Sequence, residues 1–123
     1  MMVSDKPTKG NKMTVVERQK IEKKIARKVL ECLFAAGFEI VLNNGGHEDE
    51  KPEQNADDFL KEMFATDEER IYCYTTGESR KYAGFVWFVY GNDGYDVIAD
   101  YSLKIEQFLQ PAIDLSDSIA DQV

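Results

Sequence analysis

Histidine is almost missing from this chain: His47, in "GGHEDE", is the only one among 123 residues. That shortage excludes much chemistry. A transition-metal site usually gathers several nitrogen or sulfur ligands. A calcium loop needs a set Asp/Asn spacing around a central glycine. Neither pattern is present around His47, Glu48, Asp49, Glu50 and Glu53, which read as a solvated acidic loop. Nucleophilic catalysis needs a base held beside its nucleophile, and a lone histidine in a loop does not supply one. The cysteines, Cys32 and Cys73, are too few for a disulfide framework. One falls in an expected helix and the other in an expected strand, so both read as small buried thiols in a reducing compartment. No stretch of eighteen apolar residues offers a membrane span. "MMVSDKPTKGNK" has no apolar segment of the secretory kind, so a cytoplasmic setting is expected. "NNGG" lacks the lysine and the spacing of a phosphate loop. The expectation is therefore no catalytic residue, no metal and no cofactor.

Basic residues are also scarce after the first third. Residues 1–36 hold nine Lys/Arg against four acids, whereas the rest holds six against nineteen. The whole chain carries −8. Such a body repels phosphate backbones, which makes direct nucleic-acid binding a poor expectation.

What is present is a clear alternation of patterns. Residues 1–12 read as a disordered basic tail and 13–123 as a single domain. T-V-V-E at Thr14 is a capping box, and apolar residues recur at helical spacing from Ile21 to Ala36, before Gly37. "FEIVL" is a short strand. Residues 43–54 read as a mobile acidic loop. Asn55 caps a second helix with Phe59, Leu60, Met63 and Phe64 on its core face. "RIYCYTT" alternates, with Ile71 and Cys73 on one side and Tyr72 and Tyr74 on the other. "YAGFVWFVY" is apolar on both faces, and "GNDG" turns it into "YDVIADY". Ser102 is placed to cap a last helix, which carries Pro111 and reads as kinked or as two abutting pieces. The expected fold is α+β, in the order α-β-α-β-β-β-α, with an antiparallel sheet of three to four strands packed with helices.

The run Lys81–Phe88 partly matches the signature of RNA-reading sheets of the RRM type. Lys81, Gly84, Phe85, Val86 and Phe88 fit it, but Tyr82 replaces a glycine and Ala83 an aromatic. The element order also departs, because the chain continues into a hairpin instead of a helix. The aromatic run reads instead as burial, with Trp87 in the sheet interior.

The stretch from Phe88 to Tyr101, the Pro111-Ala and Asp114-Leu region, "AAGF" and "FATDEERIY" resemble small proteins of bacterial phages and plasmids. That group has no established activity. The resemblance implies a mobile-element origin and a bacterial cytoplasm, and it carries over no functional residues.

Two surfaces are singled out. Tyr72, Tyr74, Val86, Phe88 and Tyr90 would form an apolar patch if all the helices packed on one side of the sheet. A second copy or a partner would then cover it. Asp96 and Asp100 lie beside it on the hairpin and read as protection against edge pairing. Lys20, Lys24, Arg27 and Lys28 form a basic stripe on the first helix. The expected function is a non-enzymatic accessory protein that binds an unknown protein, with an acidic decoy of a basic surface as the finer form of that expectation. A small-ligand or enzymatic domain is the alternative, and an RNA-binding module comes after that.

Overall fold

The computed structural model describes residues 14–43, 55–64, 66–77 and 79–122. Helix α1 (Val15–Ala35) starts at the expected capping box. Thr14 Oγ1 accepts from the Glu17 amide at 3.1 Å, and the Glu17 carboxylate accepts from the Thr14 amide at 2.9 Å. The helix ends at Ala36, and Gly37 takes φ 92°, a left-handed value that costs glycine nothing. The chain then turns into β1 (Glu39–Asn43). Helix α2 (Ala56–Glu62) is capped by Asn55, whose side chain accepts from the Asp58 amide at 2.9 Å. Strands β2 (Glu68–Tyr74), β3 (Tyr82–Val89) and β4 (Ile98–Tyr101) follow. A 3-10 turn over Leu103–Ile105 leads into helix α3 (Glu106–Gln122).

The result is an α+β fold in the order α-β-α-β-β-β-α. Its four strands form one antiparallel sheet in the order β1-β2-β3-β4. All three helices lie on one side of this sheet. Ile25, Val29 and Leu33 of α1, Phe59 of α2, and Leu109 and Ala112 of α3 share one core with Ile40, Ile71, Cys73, Val86 and Phe88 of the strands. Gly84 sits where β3 meets the 3-10 turn. A Cβ there would fall 2.9 Å from Ser102 Cβ, so glycine permits this close approach.

Several sequence expectations need correction. The facing of β3 is reversed. Tyr72 lies opposite Phe85 and Ile71 opposite Val86, so Val86 and Phe88 point into the core. Trp87 points away from the core and is only half-buried. Asn43, expected to open the loop, is the last residue of β1. Residues 44–54, with His47, and the tail 1–12 lie outside the described residues. Ser102 makes no side-chain cap. Its hydroxyl accepts from the Phe85 amide at 3.0 Å and joins the end of the hairpin to β3. Helix α3 runs through Pro111 as a single element, which rules out two abutting pieces. The cysteines are free thiols, and burial pushes the Cys73 thiol up to about 12. No helix among the described residues is long and apolar enough to cross a membrane.

Candidate functional site

The face of the sheet turned away from the helices carries the most distinctive group of side chains. Its layout follows from strand pairing. Val41, Tyr72 and Phe85 form a central row across β1, β2 and β3. On one side of it lies the row Glu39, Tyr74 and Tyr82. On the other lies Asn43, Arg70, Trp87 and Asp100, which extends to β4. Glu68 and Val89 form a further pair beyond that. Because side chains alternate along a strand, all of these share one face. None of the aromatic residues here belongs to the helix-covered core.

Three of the rings touch one another. Tyr82 packs against Tyr72 and Tyr74, with centroids 6.3 and 5.9 Å apart. Tyr82 is 55% exposed, an unusual state for so large a ring at the middle of a cluster. Two arginines lie over the rings. The Arg70 guanidinium is 4.9 Å from the Trp87 centroid, and that of Arg80 is 3.9 Å from Tyr74. Each cation has a carboxylate nearby. Arg80 pairs with Glu39, and Glu68, two residues before Arg70 on the same face, accepts from the Trp87 indole at 2.9 Å. The surface is thus an apolar centre with a rim of both signs. Tyr, Trp and Arg are the residues that most often dominate binding energy at protein interfaces.

Of the residues singled out from sequence, Tyr72 and Tyr74 belong to this face. Val86 and Phe88 are fully buried beneath the helices and are closed to any partner. Tyr90 is half-buried at the sheet end, where its hydroxyl donates to Glu69 at 2.7 Å. The acids of the hairpin do local work. Asp96 accepts from the Asp93 amide at 3.2 Å within the turn. The Ser102 amide donates to the Phe85 carbonyl, so the alternating ladder sends the Tyr101 amide outward from β3. Asp100 accepts that amide at 2.8 Å, which blunts the β4 edge. The basic stripe is interrupted. Lys20 and Lys24 are exposed, but Arg27 is paired with Glu31 and Asp57, and Lys28 is half-buried.

Sequence reasoning missed Arg70, Tyr82, Phe85 and Trp87 as members of this face. The signal for them was the clean alternation of β2 together with a β2–β3 register that sequence spacing alone leaves open. A bulge between Cys73 and Tyr74 shifts that register at the turn. The structure also removes one objection to base stacking, since Phe85 and Trp87 are rings two residues apart on the open face.

A second polar group lies on the helix-covered side of the sheet, inside the fold. Glu22 of α1 and Glu69 of β2 are each 1% exposed. Glu22 accepts from the Gly91 amide at 2.8 Å and lies 3.7 Å from Arg18. Glu69 accepts from the Phe64 amide at 2.8 Å as well as from Tyr90. Phe64 holds φ 71°, a strained value for a non-glycine residue. Burial, the hydrogen bond to Glu69 and the charges of Glu69 and Glu22 push the Tyr90 phenol well above its ordinary range. These bonds tie the β3–β4 hairpin and the end of α2 to the core, which is a structural duty. Among the described residues, no group of three or more His, Cys, Asp and Glu gathers into a metal-binding arrangement.

No family model, no curated protein and no solved structure matches this chain.

Proposed function

We propose that this is a binding protein that docks onto another protein through the open face of its sheet. The observation that carries the reading is the cluster of Tyr72, Tyr74, Tyr82, Phe85 and Trp87 with Arg70 and Arg80 laid over its rings. Soluble proteins seldom leave a contiguous aromatic face uncovered without a use for it. The net charge of −8 favours encounter with a basic partner, so a decoy of a basic surface is the finer form of the proposal. A mobile-element accessory role in a bacterial cytoplasm belongs to the same proposal and rests on the sequence resemblance. A second copy of the chain is the other protein that this face would accept.

The test is capture with a photo-reactive residue at position 82, set beside the variants Tyr82→Glu and Lys24→Ala. Crosslinked partners should vanish when Trp87 is also replaced by alanine, and Tyr82→Glu should retain none of them in affinity capture. Lys24→Ala should retain them all. A partner set indifferent to the face variants would overturn the reading.

A single-stranded nucleic acid is a second reading, favoured by Tyr72, Phe85 and Trp87 standing on neighbouring strands of an open sheet. The acidic body opposes it. Anisotropy of labelled oligonucleotides at low salt decides the matter, and the protein-docking reading expects no saturable binding.

A further inference from the structure

We infer that the open face takes an arginine of a basic partner segment at one defined place, the Tyr74 ring beside Glu39, and that Arg80 of the same chain fills that place until the partner arrives. The inference rests on the docking role of this face and adds the chemistry of its occupant. What the place already holds indicates what it accepts. The Arg80 guanidinium lies 3.9 Å from the Tyr74 centroid and is paired with Glu39. Tyr74 and Glu39 stand opposite each other on β2 and β1, so strand pairing keeps the ring and the carboxylate together. Tyr82 packs against Tyr74 with centroids 5.9 Å apart and steadies the ring. A π-face beside a carboxylate is a seat for a planar cation. A lysine would bring the charge but neither the flat stack nor the forked N–H groups of a guanidinium. The same composition recurs on this face, where Arg70 lies 4.9 Å from the Trp87 centroid and the Trp87 indole donates to Glu68.

The two guanidinium groups differ in how firmly they are held. Arg70 lies within β2, whereas Arg80 comes from the turn between β2 and β3. That turn is fastened by Thr75. Its amide donates to the Lys81 carbonyl at 2.8 Å, and its hydroxyl oxygen accepts from the Lys81 amide at 3.0 Å. The Arg80 side chain can therefore swing aside while the turn stays closed. It is half-exposed, and an ion pair so open to water holds weakly. Charge then decides the sign of the incoming group. With Arg80 aside, the rows of the face set Arg70 against Glu39, Glu68 and Asp100, on a chain that carries −8. A basic segment is drawn to this surface and an acidic one repelled. Arg80 acts as a competitor within the chain, which lowers the apparent affinity by the fraction of time the seat is filled.

The sign of one substitution tests this. A residue that competes with the partner tightens binding when it is removed, and a residue that contacts the partner weakens it. The readout is the anisotropy of a labelled octa-arginine peptide. Lys81→Ala is the control, because it removes the same charge from the neighbouring exposed residue. Arg80→Ala should bind the peptide about threefold more tightly than Lys81→Ala does. In the Arg80→Ala background, Tyr74→Ala and Glu39→Gln should each weaken binding about threefold. Octa-lysine should bind more weakly than octa-arginine to the Arg80→Ala protein. Circular dichroism checks the fold of each variant. Arg80 and Lys81 are both exposed, so their comparison decides the matter even if Tyr74→Ala does not fold. An Arg80→Ala protein that binds no more tightly than Lys81→Ala overturns the inference. So does a folded Tyr74→Ala or Glu39→Gln variant that binds unchanged, or an equal affinity for octa-lysine. If any of these is found while position 82 still crosslinks another protein, the docking role stands and only the arginine falls. If position 82 captures nothing as well, both fall.

Discussion

The two faces of the sheet are made by the same strands, one residue out of step, and they are held together by different physics. The helix-covered face is dry and aliphatic, with Ile40, Ile71, Val86 and Phe88 closed to solvent. Its side chains are stabilised by removal of apolar area from water and by close packing. The open face keeps its rings half in water and holds them by ring contacts and stacked guanidinium groups. The first face makes the fold. The second contributes less to it. Its aromatic content is therefore hard to explain by folding alone.

The sharpest way to break this contrast is a pair of truncations at neighbouring residues. Phe88→Ala should cost about 3–5 kcal/mol, read as a lowered denaturant midpoint, because it empties a fully buried site. The alkaline limb of stability comes next. The Tyr90 phenol titrates higher in the folded protein than in the unfolded chain, so the folded state retains a proton that the unfolded state loses. That contribution is complete below about pH 10 and is lost as pH rises beyond it, at about 1.4 kcal/mol per unit from this group. Tyr90→Phe should flatten the alkaline decline in urea unfolding curves, and an unchanged slope would remove Tyr90 as its source. Trp87→Ala, next door to Phe88 but on the open face, should cost only about 1–2 kcal/mol, since much of the ring is already solvated. If the two truncations cost the same, the division between the faces fails. The smallest effect belongs to the stripe on α1. Lys20→Ala and Lys24→Ala should each move stability by no more than about 0.5 kcal/mol.

Much of the fold was readable from local chemistry. The capping box at Thr14, the Gly37 reversal and the Asn55 cap each depend on residues within a few positions of one another, and each forms as expected. The alternation of Ile71 and Cys73 against Tyr72 and Tyr74 was readable for the same reason. The facing of β3 was not. "YAGFVWFVY" is apolar at every position from Phe85 to Tyr90, so no alternation marks which set points inward. The choice is made by register against β2, a relation between residues some fifteen positions apart and displaced by a bulge. The candidate site inherited this error, because an open face is defined by what the register leaves outside. Glu22 and Glu69 were hidden for another reason. A buried carboxylate is recognised only by its partners, here the amides of Gly91 and Phe64 and the Tyr90 hydroxyl.

Trp87 is the only tryptophan in the chain, and it lies outside the core with its indole N–H on Glu68 and a guanidinium over its ring. Its emission is therefore a built-in reporter of the surface and not of the interior. Unfolding moves this indole from a partly wet place to a wholly wet one, which gives a small spectral change. Covering the open face moves it the other way, to a dry one, and shifts its light to the blue. Among optical signals from this protein, tryptophan emission should follow encounters more faithfully than it follows folding.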